Sequence, residues 1–430
     1  MRMRVLAMAV VAGVLVAFHA QAEFRFPMPE FESGYQYPPM NTPPPSRIPV
    51  AIDVSVLTVA LGLTTYAVLR ARSRRMVFVL SAASLVYFGF YRQGCVCPVG
   101  SVQNVFELLI GRAASLPVVV VVFFLLPLVF ALYFGRVFCA AVCPLGAAQE
   151  MCAVYPVQVP RAVESVLGLL PYAYLGLAGL GVATGSGYLI CRYDPFVGFF
   201  RRGASFWMLI AGAVLLVLGI FIARPYCRYL CPYGVLLRWT SRLAKWHASV
   251  TPAECTQCRL CEDACPYAAI VYPTPANAPL SRREGARKLG IRLAATPLII
   301  VAGGLAGYGL SNTLARLHPT VWLAERLGAE ETGRAADGTP IKRAQTRVSL
   351  EVETFEAGQK TADELYAEAG AAAGQFKPLS AVFGAFLGLA VSGRLLRLSV
   401  VRQRKDYEAD RAACLSCARC FDYCPVEKKG

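Results

Sequence analysis

Fifteen of the chain's sixteen cysteines fall into six short runs, most of them closed by proline. Two runs share one spacing, Cys255-x2-Cys258-x2-Cys261-x3-Cys265-Pro266 and Cys414-x2-Cys417-x2-Cys420-x3-Cys424-Pro425. Three thiolates so spaced wrap one [4Fe–4S] cube, and in paired sites the fourth cysteine, before the proline, ligates the other cube. The expected sets are therefore Cys255, Cys258 and Cys261 with Cys424, and Cys414, Cys417 and Cys420 with Cys265. Zinc sites or structural disulfides are the competing reading, and the same spacing with the same proline, twice, argues against them.

Four further turns carry ligand-type residues ahead of a proline and a nearby glycine. They are Cys95-Val-Cys97-Pro98-Val-Gly100, Cys139-x3-Cys143-Pro144-Leu-Gly146, Cys191-x2-Asp194-Pro195-x2-Gly198 and Cys227-x3-Cys231-Pro232-Tyr-Gly234. Proline suits the first turn of a helix, so each is expected to start one. A helix N-terminus also favours a thiolate and an anionic cluster. Cys139, Cys143, Cys227 and Cys231 are expected to hold one inner membrane cluster. Cys95, Cys97 and Cys191 are expected to form an outer site, with Asp194 standing where the other turns have cysteine. Free packed thiols, or a Cys95–Cys97 disulfide, are the alternatives. One cluster near each membrane edge would divide a core about 30 Å thick into shorter electron steps. Cys152 lies outside every motif and is read as structural.

The elements that must position these turns are membrane helices. Hydrophobic residues make up 56% of the chain and charged residues 16%, against roughly 45–50% and about 25% in soluble domains. The net charge of +16 sits beside apolar runs, not in a stripe interleaved with aromatics, which excludes nucleic acid as a partner. Three histidines (His19, His247, His318) are too few for a bis-histidine haem bundle. No C-x-x-C-H, G-x-G-x-x-G or Walker A pattern marks a covalent haem, dinucleotide or ATP site.

Seven spans are expected near 50–69, 76–91, 117–135, 166–185, 206–223, 293–310 and 379–396. Arg70, Arg72, Arg74 and Arg75 fix the first loop as cytoplasmic, and alternation puts the mature N-terminus outside and the C-terminus inside. Inside segments then hold 26 Lys and Arg, against 7 outside when the long 311–377 stretch is set apart. The expected fold is an α-helical integral membrane protein of the bacterial inner membrane, with about seven transmembrane helices. It carries a parallel internal repeat (span, outer turn, span, inner turn, twice) and a cytoplasmic two-cluster ferredoxin-like α+β head. The divisions are a signal peptide over 1–22, closed by Ala20-Gln21-Ala22, and a Pro-rich periplasmic arm over 23–49. A membrane domain over 50–246 and the first ferredoxin segment over 247–291 follow. A transmembrane helix over 292–310, a small periplasmic insert over 311–377, a second such helix over 378–397 and the second ferredoxin segment over 398–430 complete the chain.

The motifs Cys139-Ala-Ala-Val-Cys143-Pro144-Leu-Gly146, Cys227-Arg-Tyr-Leu-Cys231-Pro232-Tyr-Gly234 and Cys255 to Pro266 resemble the NapH/NosR family of membrane polyferredoxins. The resemblance covers about 76–270 and 379–430. It implies electron transfer between quinol or cytoplasmic donors and periplasmic enzymes, or support of those enzymes' maturation. The chain departs from the pattern in three places. No large flavin-binding domain precedes the spans as in NosR-like proteins, the second ferredoxin run is displaced beyond an insert and a span, and the outer turns lack C-x3-C-P.

Within the insert, Pro319–Leu327 reads as a helix, residues 347–355 as a strand, and Thr361 with Glu364 as a capping box. Docking of a partner, or a plain spacer, are its two readings. Ser101 is expected to cap an amphipathic stretch with Val102, Val105, Phe106, Leu109 and Ile110 on one face. His247 and His318 are read as solvated loop residues. The function expected is relay of electrons between the cytoplasmic or quinone side and a periplasmic acceptor, as one subunit of an oxidoreductase complex. Two [4Fe–4S] clusters in the head and one or two further iron–sulfur clusters in the membrane domain are implied. The expected partners are membrane lipid, a periplasmic redox partner or reductase subunit, and quinol or a cytoplasmic electron donor. A maturation factor for a periplasmic metalloenzyme and a subunit of a redox-driven ion transporter are the alternatives. The spans largely lack intramembrane acids or Lys, which disfavours transport; Asp53, near the outer end of the first span, is the mild exception.

Overall fold

The computed structural model describes residues 47–94, 98–113, 115–201, 203–250, 256–274, 282–332, 352, 355, 360–397, 399 and 406–425. The expected signal peptide, nearly all of the Pro-rich arm, the strand over 347–355 and the cysteines Cys95, Cys97 and Cys255 lie outside these residues or almost wholly so.

The described chain is mostly helical. The membrane domain runs α1 (Arg47–Leu69), α2 (Arg74–Ser84) continued by a π-helical stretch Leu85–Tyr91, α3 (Pro98–Leu109), α4 (Val118–Phe134), α5 (Pro144–Cys152), α6 (Arg161–Leu167) and α7 (Leu170–Thr184). The short helices α8 (Leu189–Tyr193) and α9 (Pro195–Phe200) lead to α10 (Phe206–Phe221), α11 (Pro225–Tyr229) and α12 (Pro232–Ser241). Every one of the seven expected spans is helical. Four helical stretches (50–69, 162–184, 283–309 and 362–397) are long and apolar enough to cross a membrane, while α4 and α10 are apolar but shorter. The outward faces are apolar: Val59 and Leu63 on α1 and Val214 and Val217 on α10 are all exposed. Outward apolar faces on long helices suit a lipid solvent.

All four Pro-containing turns open helices, namely α3, α5, α9 and α12. Proline's fixed φ and missing N–H fit that position. The Ser101 cap is corrected: Pro98 opens α3, which leaves Ser101 inside the helix. The buried side is Val99, Val102 and Gln103, while Leu109 and Ile110 are exposed.

Beyond the membrane domain, α13 (Leu260–Asp263) and β1 (Ile270–Val271) precede the long α14 (Arg282–Gly309). The insert contributes α15 (Ser311–Ala315) and α16 (Pro319–Thr332), and α17 (Ala362–Arg397) then returns to β2 (Glu408–Ala409) and α18 (Arg419–Asp422). Thr361 and Glu364 form the reciprocal capping box, with Thr361 N–H to Glu364 Oε2 at 3.1 Å and Glu364 N–H to Thr361 Oγ1 at 3.4 Å. The helix it starts is one 36-residue element, so the boundary expected at 377 falls within a helix; Pro378 is accommodated inside it.

Small residues make α14 and α17 a tight hairpin. A Cβ on Gly303 would lie 2.5 Å from the Gly384 carbonyl oxygen, and one on Gly388 would lie 2.7 Å from that of Ile299. Backbones approach this closely only where side chains are absent. The hairpin leaves the head region and comes back to it. There β1 and β2 pair antiparallel, Ile270 opposite Ala409 and Val271 opposite Glu408, joining two cysteine runs about 150 residues apart.

Candidate metal centres

The two ferredoxin-type runs fold alike. Gln257 and Arg259 flank Cys258 with φ of 56° and 64°, and Ser416 and Ala418 flank Cys417 with φ of 53° and 61°. Non-glycine residues seldom adopt this left-handed conformation, yet it recurs at matched positions. Each run then enters a four-residue helix, α13 or α18. Alternating backbone of this kind turns N–H groups inward toward an anion. The Ser416 N–H points to Cys414 Sγ, and the Ala269 N–H to Cys265 Sγ, both at 3.4 Å.

Cys265 of the first run lines one cavity with Cys414, Cys417 and Cys420 of the second. Ala269, Ile270, Leu415 and Phe421 complete its apolar wall. Burial pushes the Cys420 thiol up, and Cys417, Cys414, Cys265 and Cys261 push the same way. Burial likewise pushes Cys414 up to about 12. Thiols crowded in an apolar cavity ionise together only when a cation is among them. The donor set, the cavity and the inward N–H groups fit a [4Fe–4S] cluster. Of the other set, Cys258 is exposed and Cys261 and Cys424 are half-buried.

Cys139, Cys143, Cys227 and Cys231 are all buried in the membrane domain's core. Cys227 lies in electrostatic reach of Cys139. Gln149 Nε2 donates to Cys227 Sγ at 3.4 Å, and Arg136 Nη2 to Cys139 Sγ at 3.8 Å. Gly146 leaves room beside Cys227, since a Cβ there would stand 3.7 Å from its sulfur. Donors aimed at sulfur and a side-chain-free wall fit an anionic cluster. Among the described residues no group of three or more His, Cys, Asp or Glu is arranged around a single ion. A cubane spreads its thiolates more widely than one ion does.

At the expected outer site, Cys191 is half-buried. Asp194 is fully buried and its two oxygens are engaged. Oδ1 accepts the Phe196 and Val197 N–H groups at 3.0 Å each, and Oδ2 accepts the Tyr226 hydroxyl. The structure gives Asp194 the N-cap of α9.

The Tyr226 contact joins two of the turns. Tyr226 precedes Cys227 of an inner turn, yet its hydroxyl reaches Asp194 of an outer one. Tyr174 likewise lies in electrostatic reach of both Cys191 and Cys231. Beside α10, Pro195 packs at the level of Gly212 and Pro225 at the level of Gly219. Seven helical residues correspond to about 10 Å of rise. The turn at Cys191–Gly198 and the turn at Cys227–Gly234 thus approach each other. They can do so because their polar backbone is surrounded by protein, not lipid.

A buried ionic hub, which motif reading missed, joins the inner turns to the head. Glu150 on α5 pairs with Arg224 at 2.9 Å, with Arg419 at 2.5 Å and with Arg74. Arg419 stands between Cys417 and Cys420, and Arg224 stands three residues before Cys227. Arg224 also donates to the carbonyl of Cys139 and, at 2.9 Å, to that of Ala140. Burial alone would raise the Glu150 carboxyl, but Arg74, Arg419 and Arg224 outweigh it and hold it well below the usual range. Arg74 also donates to the Cys417 carbonyl at 2.9 Å, and two further arginines reach carbonyls of the head, Arg228 to Pro266 at 3.1 Å and Arg136 to Ala412 at 3.3 Å. The available signal was one acid and several arginines beside cysteine turns, but no spacing says that they meet.

Of the remaining residues, Cys152 is a half-buried free thiol near Gly219. His318 Nδ1 accepts the Thr320 N–H at 3.3 Å at the start of α16. Asp53 pairs with Arg92 at 2.6 Å and accepts the Tyr87 hydroxyl at 3.0 Å.

Fold and site together define a helical, membrane-associated iron–sulfur protein. A 4Fe-4S binding domain family matches residues 94–117, 116–156 and 204–250, and a second 4Fe-4S binding domain family matches 248–271. The chain is 33% identical over 216 residues to the regulatory protein NosR of Pseudomonas aeruginosa, covering 44% of this chain and 29% of NosR. It is 32% identical over 152 residues to the protein NirI of Paracoccus denitrificans, covering 32% and 22%. It is 26% identical over 187 residues to YccM of Escherichia coli, described as a candidate electron transport protein, covering 39% and 52%. The matches thus span about a quarter of the length of NosR and NirI and half that of YccM. No solved structure matches the chain. The chain is thus similar, over part of its length, to NosR-like membrane-associated 4Fe-4S proteins.

Proposed function

We propose that the chain relays electrons through the membrane between its ferredoxin head and an acceptor on the opposite face. The observation that carries this reading is the Glu150 hub, which fixes a four-cysteine cavity in the head against the inner cysteine turns. In this proposal Cys414, Cys417, Cys420 and Cys265 hold one head cluster, and Cys255, Cys258, Cys261 and Cys424 the other. Cys139, Cys143, Cys227 and Cys231 hold an inner membrane cluster, and Cys95, Cys97 and Cys191 an outer site. Iron–sulfur clusters supply one-electron transfer without bond rearrangement. The chain's own residues fix the spacing of the sites, exclude water from them and aim N–H donors at their sulfurs.

The proposed topology has seven crossings in a bacterial inner membrane, the N-terminus outside, the C-terminus inside and the two halves of the membrane domain repeated in parallel. The excess of Lys and Arg on the inner segments supports it. The head is then cytoplasmic, in a compartment that keeps cluster-ligating thiols reduced. The electron donor is quinol or a cytoplasmic carrier, and the acceptor is a periplasmic redox enzyme. An accessory or maturation role is the second reading, favoured by the likeness to a protein named as regulatory.

Iron and acid-labile sulfide per chain, measured on anaerobically purified protein, test the proposal. About twelve to sixteen irons, three or four four-iron clusters, are expected. About eight would leave the membrane turns empty and end the relay reading.

A further inference from the structure

A cavity of about 230 Å³ opens between α7, α12 and α17, on the side of the membrane domain that meets the head. Four arginines line it, Arg238 and Arg242 at the C-terminal end of α12 and Arg394 and Arg397 in the last turn of α17. A helix C-terminus favours a cation, which accounts for arginine at each end but not for four of them around one cavity.

Two of the four are engaged. Arg397 pairs with Asp410 of the head at 3.6 Å, and Arg394 donates to the Glu164 carbonyl at 3.0 Å. The other two lack a counter-ion of their own. The Arg238 Nε is buried with no partner among the described residues. The carboxylate nearest in effect, Glu164, already pairs with Arg228 at 2.8 Å and accepts the Tyr229 hydroxyl at 2.6 Å. Arg242 feels Asp410, but that carboxylate is the partner of Arg397. Burial, with Arg136 and Arg394 adding to it, lowers the Arg238 guanidinium to about 10, and burial with Arg397 lowers that of Arg242. Buried charge calls for a partner, and here the chain leaves the cations in excess.

The surroundings indicate what carries the missing anion. Tyr172 and Phe386 form much of the remaining wall. Trp239, Leu243, Leu389 and Leu395, at the same two helix ends, are exposed, and α17 is long and apolar enough to cross a membrane. Tryptophan and arginine at the end of an apolar helix mark the membrane interface. Basic pockets between membrane helices at that level take lipid headgroups, and a guanidinium can bind two phosphate oxygens at once.

We propose that this cavity holds the phosphate of an anionic phospholipid, gripped by Arg238 and Arg242 and flanked by Arg394 and Arg397. The acyl chains lie outside it, along the exposed apolar residues of α12 and α17. The bound phosphate supplies the counter-charge and ties the α14–α17 hairpin to the helix that starts at the Cys231 turn. Lipid binding here needs no cluster in the membrane turns, so its failure and that of the relay are separate outcomes.

The test is native mass spectrometry of the full chain, purified in a neutral detergent, stripped of lipid and titrated with phosphatidylglycerol. A single phosphatidylglycerol is expected to bind saturably, at least about tenfold more tightly than zwitterionic phosphatidylcholine. Arg238→Gln and Arg242→Gln are each expected to weaken binding by about fivefold, the worth of one arginine at a lipid surface. Arg287→Gln, which removes an exposed cation near the start of α14 outside the cavity, should change it by less than about twofold. Should Arg238→Gln fail to fold, Arg242→Gln decides the matter, because that side chain is exposed. Unchanged binding in Arg242→Gln, equal weakening by Arg287→Gln, or equal retention of phosphatidylcholine would overturn the proposal. Inorganic phosphate displacing the lipid at equal concentration would also overturn it, in favour of a free anion.

Discussion

Replacing Glu150 by glutamine keeps the side chain's shape and removes its charge. Side-chain exposure is 1% at Glu150, 0% at Arg224, 8% at Arg419 and 9% at Arg74, so three guanidiniums lose their common counter-ion away from water. Breaking a buried ion pair from one side costs about 3–5 kcal/mol, which corresponds to roughly a hundredfold to a few thousandfold in an equilibrium constant. Arg419 and the Tyr267 hydroxyl, at 3.4 Å, are the partners Glu150 draws from the head, so their share of the loss falls on docking of the head against the membrane domain. The carbonyl contacts of Arg136 and Arg228 remain, so the head loosens without dissociating. Hydrogen exchange followed by mass spectrometry is the assay. Amides in 256–274 and 406–425 should exchange faster, by up to about that factor, while those in α4 stay as they were. Arg419→Met should be milder than Glu150→Gln, because Arg74 and Arg224 still neutralise the carboxylate. Head exchange changed less than threefold, or equal acceleration throughout the protein, would refute the hub's docking role. The depressed Glu150 pKa gives the pH dependence. Its contribution is fully present above the ordinary carboxylate value of about 4.3 and is lost only as pH falls through the lower folded value. Docking is therefore expected to be flat from neutral pH down to about 5.

Cys139→Ser should remove about four irons, one cluster, with the head's EPR signals intact; an unchanged iron count would exclude a cluster at that turn. Gly303→Leu forces a side chain onto the Gly384 carbonyl and should cost about 1–3 kcal/mol by overpacking. Proteolysis should then cut between α17 and β2 at lower protease concentration, and an unchanged cleavage profile would contradict the close α14–α17 contact. Tyr226→Phe leaves a buried Asp194 oxygen without its hydroxyl donor and should lower stability by about 1–3 kcal/mol. Its thermal midpoint should fall relative to that of Tyr233→Phe, which loses only a carbonyl contact to Phe124 at 2.7 Å.

Local chemistry was legible in the sequence wherever it is written in contiguous spacing. Proline, after cysteine in three turns and after Asp194 in the other, announced the four helix starts, because a missing N–H and a fixed φ act on the next turn alone. Thr361 with Glu364 announced its capping box for the same reason. Ser101 misled because a cap signal stood three residues inside a helix that proline had already opened. The strand expected over 347–355 falls almost wholly outside the described residues. Asp194 is read as a ligand because it occupies a cysteine's place before proline; that its oxygens also cap α9 and meet Tyr226 is something the spacing around it could not reveal.

The sequence by itself determined the apolar spans, the cysteine runs and the positions of the turns, since each depends on neighbours a few residues away. That the two ferredoxin-type runs must meet was also an inference from the chain, because two helices between them return it to its starting side. How they meet was decided only by tertiary structure. The β1–β2 register, the convergence of Arg74, Arg224 and Arg419 on Glu150 and the meeting of Tyr226 with Asp194 all join residues far apart in the chain. The physical reason is burial. A carboxylate and three guanidiniums can leave water only together, and a turn can sink inward only where packed helices shield its backbone from lipid.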